Sequence, residues 1–223
     1  MKLSIIIPAY NEVDTIQETI NRVKSVQLDK EIIVVDDCSS DGTRELLEKC
    51  RDIKLFMHET NMGKGMAIRT ALQHVEGDIV IIQDADLEYD PEDYHVMIEP
   101  IVNGVADVVY GSRFLLGKPK MYTANYIANR LLAISANVLF GGKITDEATC
   151  YKAFRAKIIT NMPLDCRRFE FCPEVTAKIL RSGTKIVEVP VRYTARTSEQ
   201  GKKIGWKDGV EAFWTLFKYR FVK

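Results

Sequence analysis

Five short runs of apolar, β-prone residues recur in the first half of this chain: Leu3–Ile7, Glu31–Val35, Ile53–Met57, Asp78–Ile82 and Ala106–Tyr110. Segments with helical spacing lie between them. In Glu12–Val26 the residues Val13, Ile16, Ile20 and Val23 share one face, and Asp41–Cys50 and Gly65–Val75 follow the same pattern. Pro91–Val102 opens with a proline that Asp90 can cap. Strand and helix alternating at this interval give βαβ units, hence an α/β fold with a Rossmann-like, mainly parallel sheet flanked by helices.

Such a sheet gathers its ligands at the carboxyl ends of its strands. The polar clusters fall there: Pro8-Ala9-Tyr10-Asn11-Glu12, Asp36 to Gly42, Asn61-Met62-Gly63-Lys64-Gly65, Gln83 to Glu88, and Gly111-Ser112-Arg113. One such loop is a turn; five on one edge make a site. The fourth places Asp84, Asp86 and Glu88 at alternating positions behind Ile79–Ile82. If strand geometry continues past Ile82, all three carboxylates lie on one side. Their mutual repulsion calls for a cation, and Mg²⁺ or Mn²⁺ completed by phosphate oxygens suits hard oxygen donors. A solvated acidic loop is the plain alternative.

Lys plus Arg and Asp plus Glu both number 31, so no global charge marks a nucleic-acid binder. The five cysteines form no C-x-x-C pair, which points to reduced, structural thiols in a cytoplasmic protein rather than a zinc or redox motif. Met1-Lys2 leads straight into a strand-like run, with no signal peptide pattern, and no apolar run reaches the ~18 residues of a membrane span. One domain is expected over 1–223.

Beyond Arg113 the pattern changes. Tyr122–Phe140, Cys172–Arg181 and Trp206–Phe221 are helix-compatible, Lys185–Val189 reads as a strand and Tyr193–Lys203 as a mobile polar loop. Arg113, Arg130, Arg196, Lys202 and Lys203 are candidate phosphate ligands, Arg by bidentate contact and Lys as a point charge. The last helix places Trp206, Val210, Phe213, Trp214, Phe217 and Phe221 near one face, with Lys207, Lys218 and Arg220 around it. Periodicity alone favours a helix packed on the core over one lying in a membrane interface.

Asp37 can accept an N–H from a nucleotide base, beside the capping chemistry of its neighbours. Gly63-Lys64-Gly65 before a helix can offer backbone N–H groups to an anion or form a plain tight turn. It lacks the P-loop pattern, and the first loop lacks G-x-G-x-x-G, which argues against an NTPase or a dinucleotide-binding dehydrogenase.

Together these pieces resemble the inverting family 2 glycosyltransferases of GT-A fold, and among them the dolichyl- and polyprenyl-phosphate sugar synthases. The matching stretches are SIIIPAYNE at 4–12, VVDDCSSDGT at 34–43, NMGKG at 61–65, GDIVIIQDADLEYDPED at 77–93, GSRF at 111–114, TDEATCYKAFR at 145–155 and VPVRYTARTSEQGKKIGWKDG at 189–209. The resemblance implies a GT-A sheet with C-terminal amphipathic helices, 1–114 being the nucleotide-sugar half of the domain and 115–223 its acceptor- and membrane-facing half. It implies a GDP- or UDP-hexose donor held by Pro8, Tyr10, Glu12, Val35, Asp37, Asp84, Ala85, Asp86, Arg196 and Lys202. It further implies a Mg²⁺ or Mn²⁺ ion on Asp84, Asp86 and Glu88, and a polyprenyl phosphate acceptor facing Arg113 and Arg130. Asp86, Arg113 and Arg196 would carry catalysis. It also implies a peripheral position on the cytoplasmic face of a membrane, which gives the last helix a membrane role; a homo-oligomer or a separate membrane-spanning partner stays open. A phosphate monoester acceptor, with its second pKa near ~6, attacks without a strong base. A hydroxyl acceptor, the runner-up, needs one, and Asp146 or Glu147 is placed for it. A nucleotide-sugar-binding protein without catalysis, or a nucleotidyltransferase, is the alternative from another class.

Overall fold

The computed structural model describes residues 1–196 and 205–222. Seven strands form one sheet: β1 (Leu3–Ala9), β2 (Lys30–Asp36), β3 (Lys54–Met57), β4 (Ile79–Ile82), β5 (Val108–Ser112), β6 (Lys152–Arg155) and β7 (Ile186–Pro190). Their order is β3-β2-β1-β4-β6-β5-β7. All pairings are parallel except those of β6, which runs antiparallel to both β4 and β5. The α/β fold expected from the alternation is present.

Period-two alternation divides the strand side chains between two apolar layers. Leu3, Ile5, Ile7, Ile32, Val34, Ile79 and Ile81 face one side, where α1 (Ile16–Ser25) and α4 (Tyr94–Val102) cover them. Ile6, Ile33, Val35, Val80 and Ile82 face the other, under α3 (Lys64–Leu72), α6 (Ala156–Thr160) and α7 (Phe171–Arg181). Because both faces are covered, these strands read as unbroken apolar runs. The short α2 (Thr43–Glu48) adds Leu47 to the first layer. A third cluster joins α7 to α5 (Thr123–Phe140) and α8 (Trp206–Phe221) through Leu132, Ala136, Ala177, Leu216 and Tyr219.

One strand, β6, falls where the sequence pattern assigned no element; Lys152 and Arg155 at its ends hid the apolar pair Ala153 and Phe154. The strand geometry of β4 does not continue, since it stops at Ile82, yet Asp84, Asp86 and Glu88 still border one cavity from the irregular stretch that follows.

Candidate active site

The loops after β1, β2, β4 and β5 open into one cavity of about 780 Å³, within the usual size range of small-molecule sites. Its polar lining includes Tyr10, Glu12, Asp37, Lys64, Asp84, Asp86, Glu88 and Arg113. Its apolar lining includes Met121, Ala128 and Leu132 before and within α5 and Trp206, Val210 and Phe213 of α8.

The acidic residues are dispersed among cations. Asp84 pairs with Lys64 Nζ, whose other contact is Cys150 Sγ at 2.8 Å. Both Lys64 and Asp84 are held charged by this pairing: Lys64 is pushed well above the ordinary lysine range and Asp84 below the ordinary aspartate range, each against the cost of burial. Asp86 Oδ2 lies 2.6 Å from Arg196 Nη2. Glu88 accepts the Arg196 backbone N–H at 2.7 Å and the Tyr193 hydroxyl at 3.1 Å. Among the described residues no group of three or more His, Cys, Asp and Glu side chains is gathered for an ion. The donor chemistry nonetheless fits one hard divalent cation, which needs only one or two carboxylates beside phosphate oxygens. Asp84, Asp86 and Glu88 all line the cavity; the first two can supply that pair, while Glu88 also anchors the segment that carries Arg196.

That segment is fastened to the acidic loop. Tyr89 and Tyr193 form an antiparallel bridge, and the Thr194 N–H donates to Glu88 O at 2.9 Å. Arg196 is thereby delivered across the cavity, where its two terminal nitrogens also reach the Glu12 carboxylate at 3.0 and 3.1 Å.

Arg113 follows β5 and is locked by Asp146. Its Nε and Nη2 each bond one Asp146 oxygen at 2.7 Å, and its backbone N–H bonds the same carboxylate at 3.0 Å. Burial would weaken the guanidinium, yet the buried Asp146 carboxylate keeps it charged and raises it well above its ordinary range. Tyr193 stacks under the guanidinium at 5.1 Å. Glu188 on β7 accepts the N–H groups of Thr145 and Asp146, which fixes the Asp146 loop in turn. Asp146 is therefore committed to Arg113 rather than waiting as a base.

Several expected positions play other parts. Asp37 is buried, and its two oxygens accept the N–H groups of Met62 and Gly63 at 2.8 and 2.7 Å, with His58 Nδ1 at 2.7 Å. It borders the cavity but is chiefly the clamp of the 61–63 loop. Val35 is fully buried in the apolar layer under α3, so its side chain offers the cavity nothing. Arg130 does not line the cavity: it donates to Thr145 O at 2.9 Å and stacks on Phe114 at 5.4 Å, bracing the Arg113 loop. The N–H groups at the start of α3 are taken by protein, Gly65 by Arg168 O and Met66 by Arg167 O, both at 3.0 Å. Gly63 has φ +91°, and a Cβ there would stand 2.4 Å from Arg167 O. The glycines admit the 167–168 loop, which replaces the expected anion cradle. Pro8, Tyr10, Glu12 and Ala85 line the cavity as expected; Ala85 O is held by the hydroxyls of Thr15 and Thr19. Lys202 and Lys203 lie outside the described residues.

Lys64 and Cys150, with Cys172 of α7 beside them, also border the cavity without having been assigned there. A lysine between two glycines at a helix start was the available signal for the first.

The model of the family described as glycosyl transferase family 2 matches residues 4–162. The chain belongs to that family. This family 2 chain is 30% identical over 218 residues to a dolichol-phosphate mannosyltransferase of Pyrococcus furiosus, covering 92% of this chain and 60% of that protein. It is 27% identical to an undecaprenyl-phosphate mannosyltransferase of Micrococcus luteus, covering 92% and 88% of the two chains. The chain thus spans less than two thirds of the Pyrococcus relative but most of the Micrococcus one. Its fold matches glucosyl-3-phosphoglycerate synthase from Mycobacterium tuberculosis, solved with Mn²⁺, UDP and phosphoglyceric acid, with a TM-score of 0.75 at 20% identity over 100% of this chain and 79% of that one.

Proposed function

We propose that this family 2 glycosyltransferase moves a hexose, with inversion, from a GDP- or UDP-hexose to a polyprenyl phosphate. One observation carries the reading. A single cavity is lined by carboxylates and cations at the strand termini, by a buried arginine, and by apolar side chains of α5 and α8. A nucleoside diphosphate, a phosphate and a lipid chain match that set of surfaces. The curated relatives named above act on dolichol phosphate or undecaprenyl phosphate, which supports the lipid acceptor.

Asp84 and Asp86 would hold Mg²⁺ or Mn²⁺, which would neutralise the leaving diphosphate as a Lewis acid. Arg196, already across the cavity mouth from Glu12 and Asp86, adds positive charge where the leaving group gains negative charge. Arg113, oriented by Asp146, presents the acceptor phosphate to the sugar. A largely dianionic phosphate attacks the anomeric carbon without a base. Protein and membrane meet at α5 and α8. Ile127, Leu131, Ile134 and Val138 make one exposed face of α5, and Trp206, Val210, Trp214, Phe217 and Phe221 one exposed face of α8. Lys207, Lys218 and Arg220 are exposed beside them. An outward aromatic stripe with basic flanks suits a lipid interface. No described helix is long and apolar enough to cross a membrane.

The hydroxyl-acceptor reading keeps one base, Glu147, which burial pushes up to about 7. The deciding experiment offers UDP- and GDP-sugars with Mg²⁺ or Mn²⁺, with and without a polyprenyl phosphate, and reads released nucleoside diphosphate. Release that depends on the lipid phosphate is the expected result. Release only with a hydroxyl acceptor would overturn it in favour of the Glu147 mechanism.

A further inference from the structure

Glu147 is fully buried, lines the cavity, and has no hydrogen-bond partner on either carboxylate oxygen among the described residues. The Thr176 hydroxyl lies beside the carboxylate but outside hydrogen-bond geometry, and shares a 2.9 Å contact with Tyr110 Oη. The nearby cation, Lys152, gives its ammonium to the carbonyls of Glu147 and Thr149, both at 2.6 Å, and sits over the Tyr110 ring. A buried carboxyl without partners is costly, and native proteins leave few of them. One on a cavity wall has its missing partner in the ligand.

Its place along the chain says which part of the ligand. One residue earlier, Asp146 holds Arg113, the phosphate-facing arginine. Three residues later, Cys150 contacts Lys64, which pairs with Asp84 at the diphosphate end. Glu147 lies on the loop between the two anion-binding ends. A carboxylate repels phosphate, so its partner is a neutral hydrogen-bond donor lying between the two phosphoryl groups. In a glycosyl transfer that is the sugar.

We propose that Glu147 is a specificity-determining residue that accepts a hydrogen bond from a ring hydroxyl of the transferred sugar. The assignment rests on the nucleotide-sugar reading of the cavity but not on the identity of the acceptor. A hydroxyl that meets a buried carboxylate is hard to replace, because its loss leaves that carboxylate unpaired again.

The test is binding, measured calorimetrically without acceptor, so that lipid-dependent transfer can fail separately. UDP-glucose and GDP-mannose are compared with UDP and GDP, and the donor that binds is compared with its single-deoxy analogues. Wild-type protein is expected to lose about 10- to 100-fold in affinity on removal of one particular hydroxyl. In Glu147→Leu that deoxy penalty disappears, while affinity for the bare nucleoside diphosphate stays at the wild-type value. Glu147→Gln, which keeps shape and polarity, retains part of the penalty. The wild-type series alone overturns the proposal if no single deoxygenation costs more than about threefold. An undiminished penalty in Glu147→Leu overturns it as well. A lost acidic limb in the pH–rate profile of Glu147→Gln without any deoxy coupling makes the residue a base instead, and also overturns it.

Discussion

Arg196 Nη2 lies 2.6 Å from Asp86 Oδ2, and the same guanidinium grips Glu12 from its other side. One cation thus ties the loop after β1 to the loop after β4 across the mouth of the cavity. On the proposed reading a bound diphosphate would compete for that cation, and Arg196 would exchange carboxylate for phosphate contacts as the donor enters. Lys64 stands in the same relation to Asp84. The two cations hold the carboxylates in place, as the proposed binding of a divalent ion with the nucleotide would require.

Asp86→Asn keeps the shape of the side chain and removes its charge. It is expected to lower kcat by two or more orders of magnitude and to abolish the dependence of donor binding on Mg²⁺ or Mn²⁺. Titration of nucleoside diphosphate with and without metal checks this. Undiminished turnover would remove Asp86 from the metal site.

Arg113→Lys tests the acceptor end without leaving Asp146 as an uncompensated buried charge, a change that costs about 3–5 kcal/mol when one partner is simply deleted. Lysine retains the charge but loses the two-pronged grip on Asp146. KM for a short-chain polyprenyl phosphate should rise about tenfold or more while nucleotide affinity stays put. A defect confined to nucleotide binding would move Arg113 to the donor side.

Glu147 makes a pH-dependent contribution whose sign follows from its burial. Desolvation raises its folded-state pKa from 4.5 to about 7, against the pull of Lys152. The folded form therefore binds more protons than the unfolded chain across that window, and stability falls as pH rises through it, levelling off above about 7. Glu147→Gln has no such titration. Its stability advantage over wild type should grow by about 2–3 kcal/mol between about pH 5 and about pH 8. Urea unfolding at the two pH values measures it; a constant difference would mean that Glu147 is ionised throughout.

The central sheet was legible because its strands are buried on both faces and so appear as apolar runs: β1, β2 and β4 each lie within a residue or two of the run that announced them. β6 was not, since its one antiparallel position is specified by neighbours on both sides rather than by its own pattern. Within the site, polar residues at strand ends pointed to the right edge but not to individual duties. Asp37 spends its carboxylate on a loop, and Gly63 and Gly65 make room for Arg167 and Arg168. Such roles depend on contacts between segments about 100 residues apart, as in the approach of 167–168 to α3, which no local pattern encodes.

Periodicity alone marked α8 as a helix packed on the core, which it is, but not the face it buries. Its aromatic stripe fits a core-facing helix, yet Trp214 and Phe221 are 62% and 69% exposed, and the helix packs inward through Leu216, Thr215 and Tyr219. Trp214, Phe217 and Phe221 stack on one another along the outer face instead. Replacing Trp214 and Phe217 with Ser therefore removes surface that makes little contact with the fold, and thermal stability should hardly move. Sedimentation with anionic phospholipid vesicles should drop severalfold, because both residues would contribute apolar area to the interface. Leu216→Ala is the contrasting variant: it faces inward with no exposure and should cost about 2–5 kcal/mol of stability. Vesicle binding that survives the outer double substitution in a folded protein would leave the aromatic face to a protein partner.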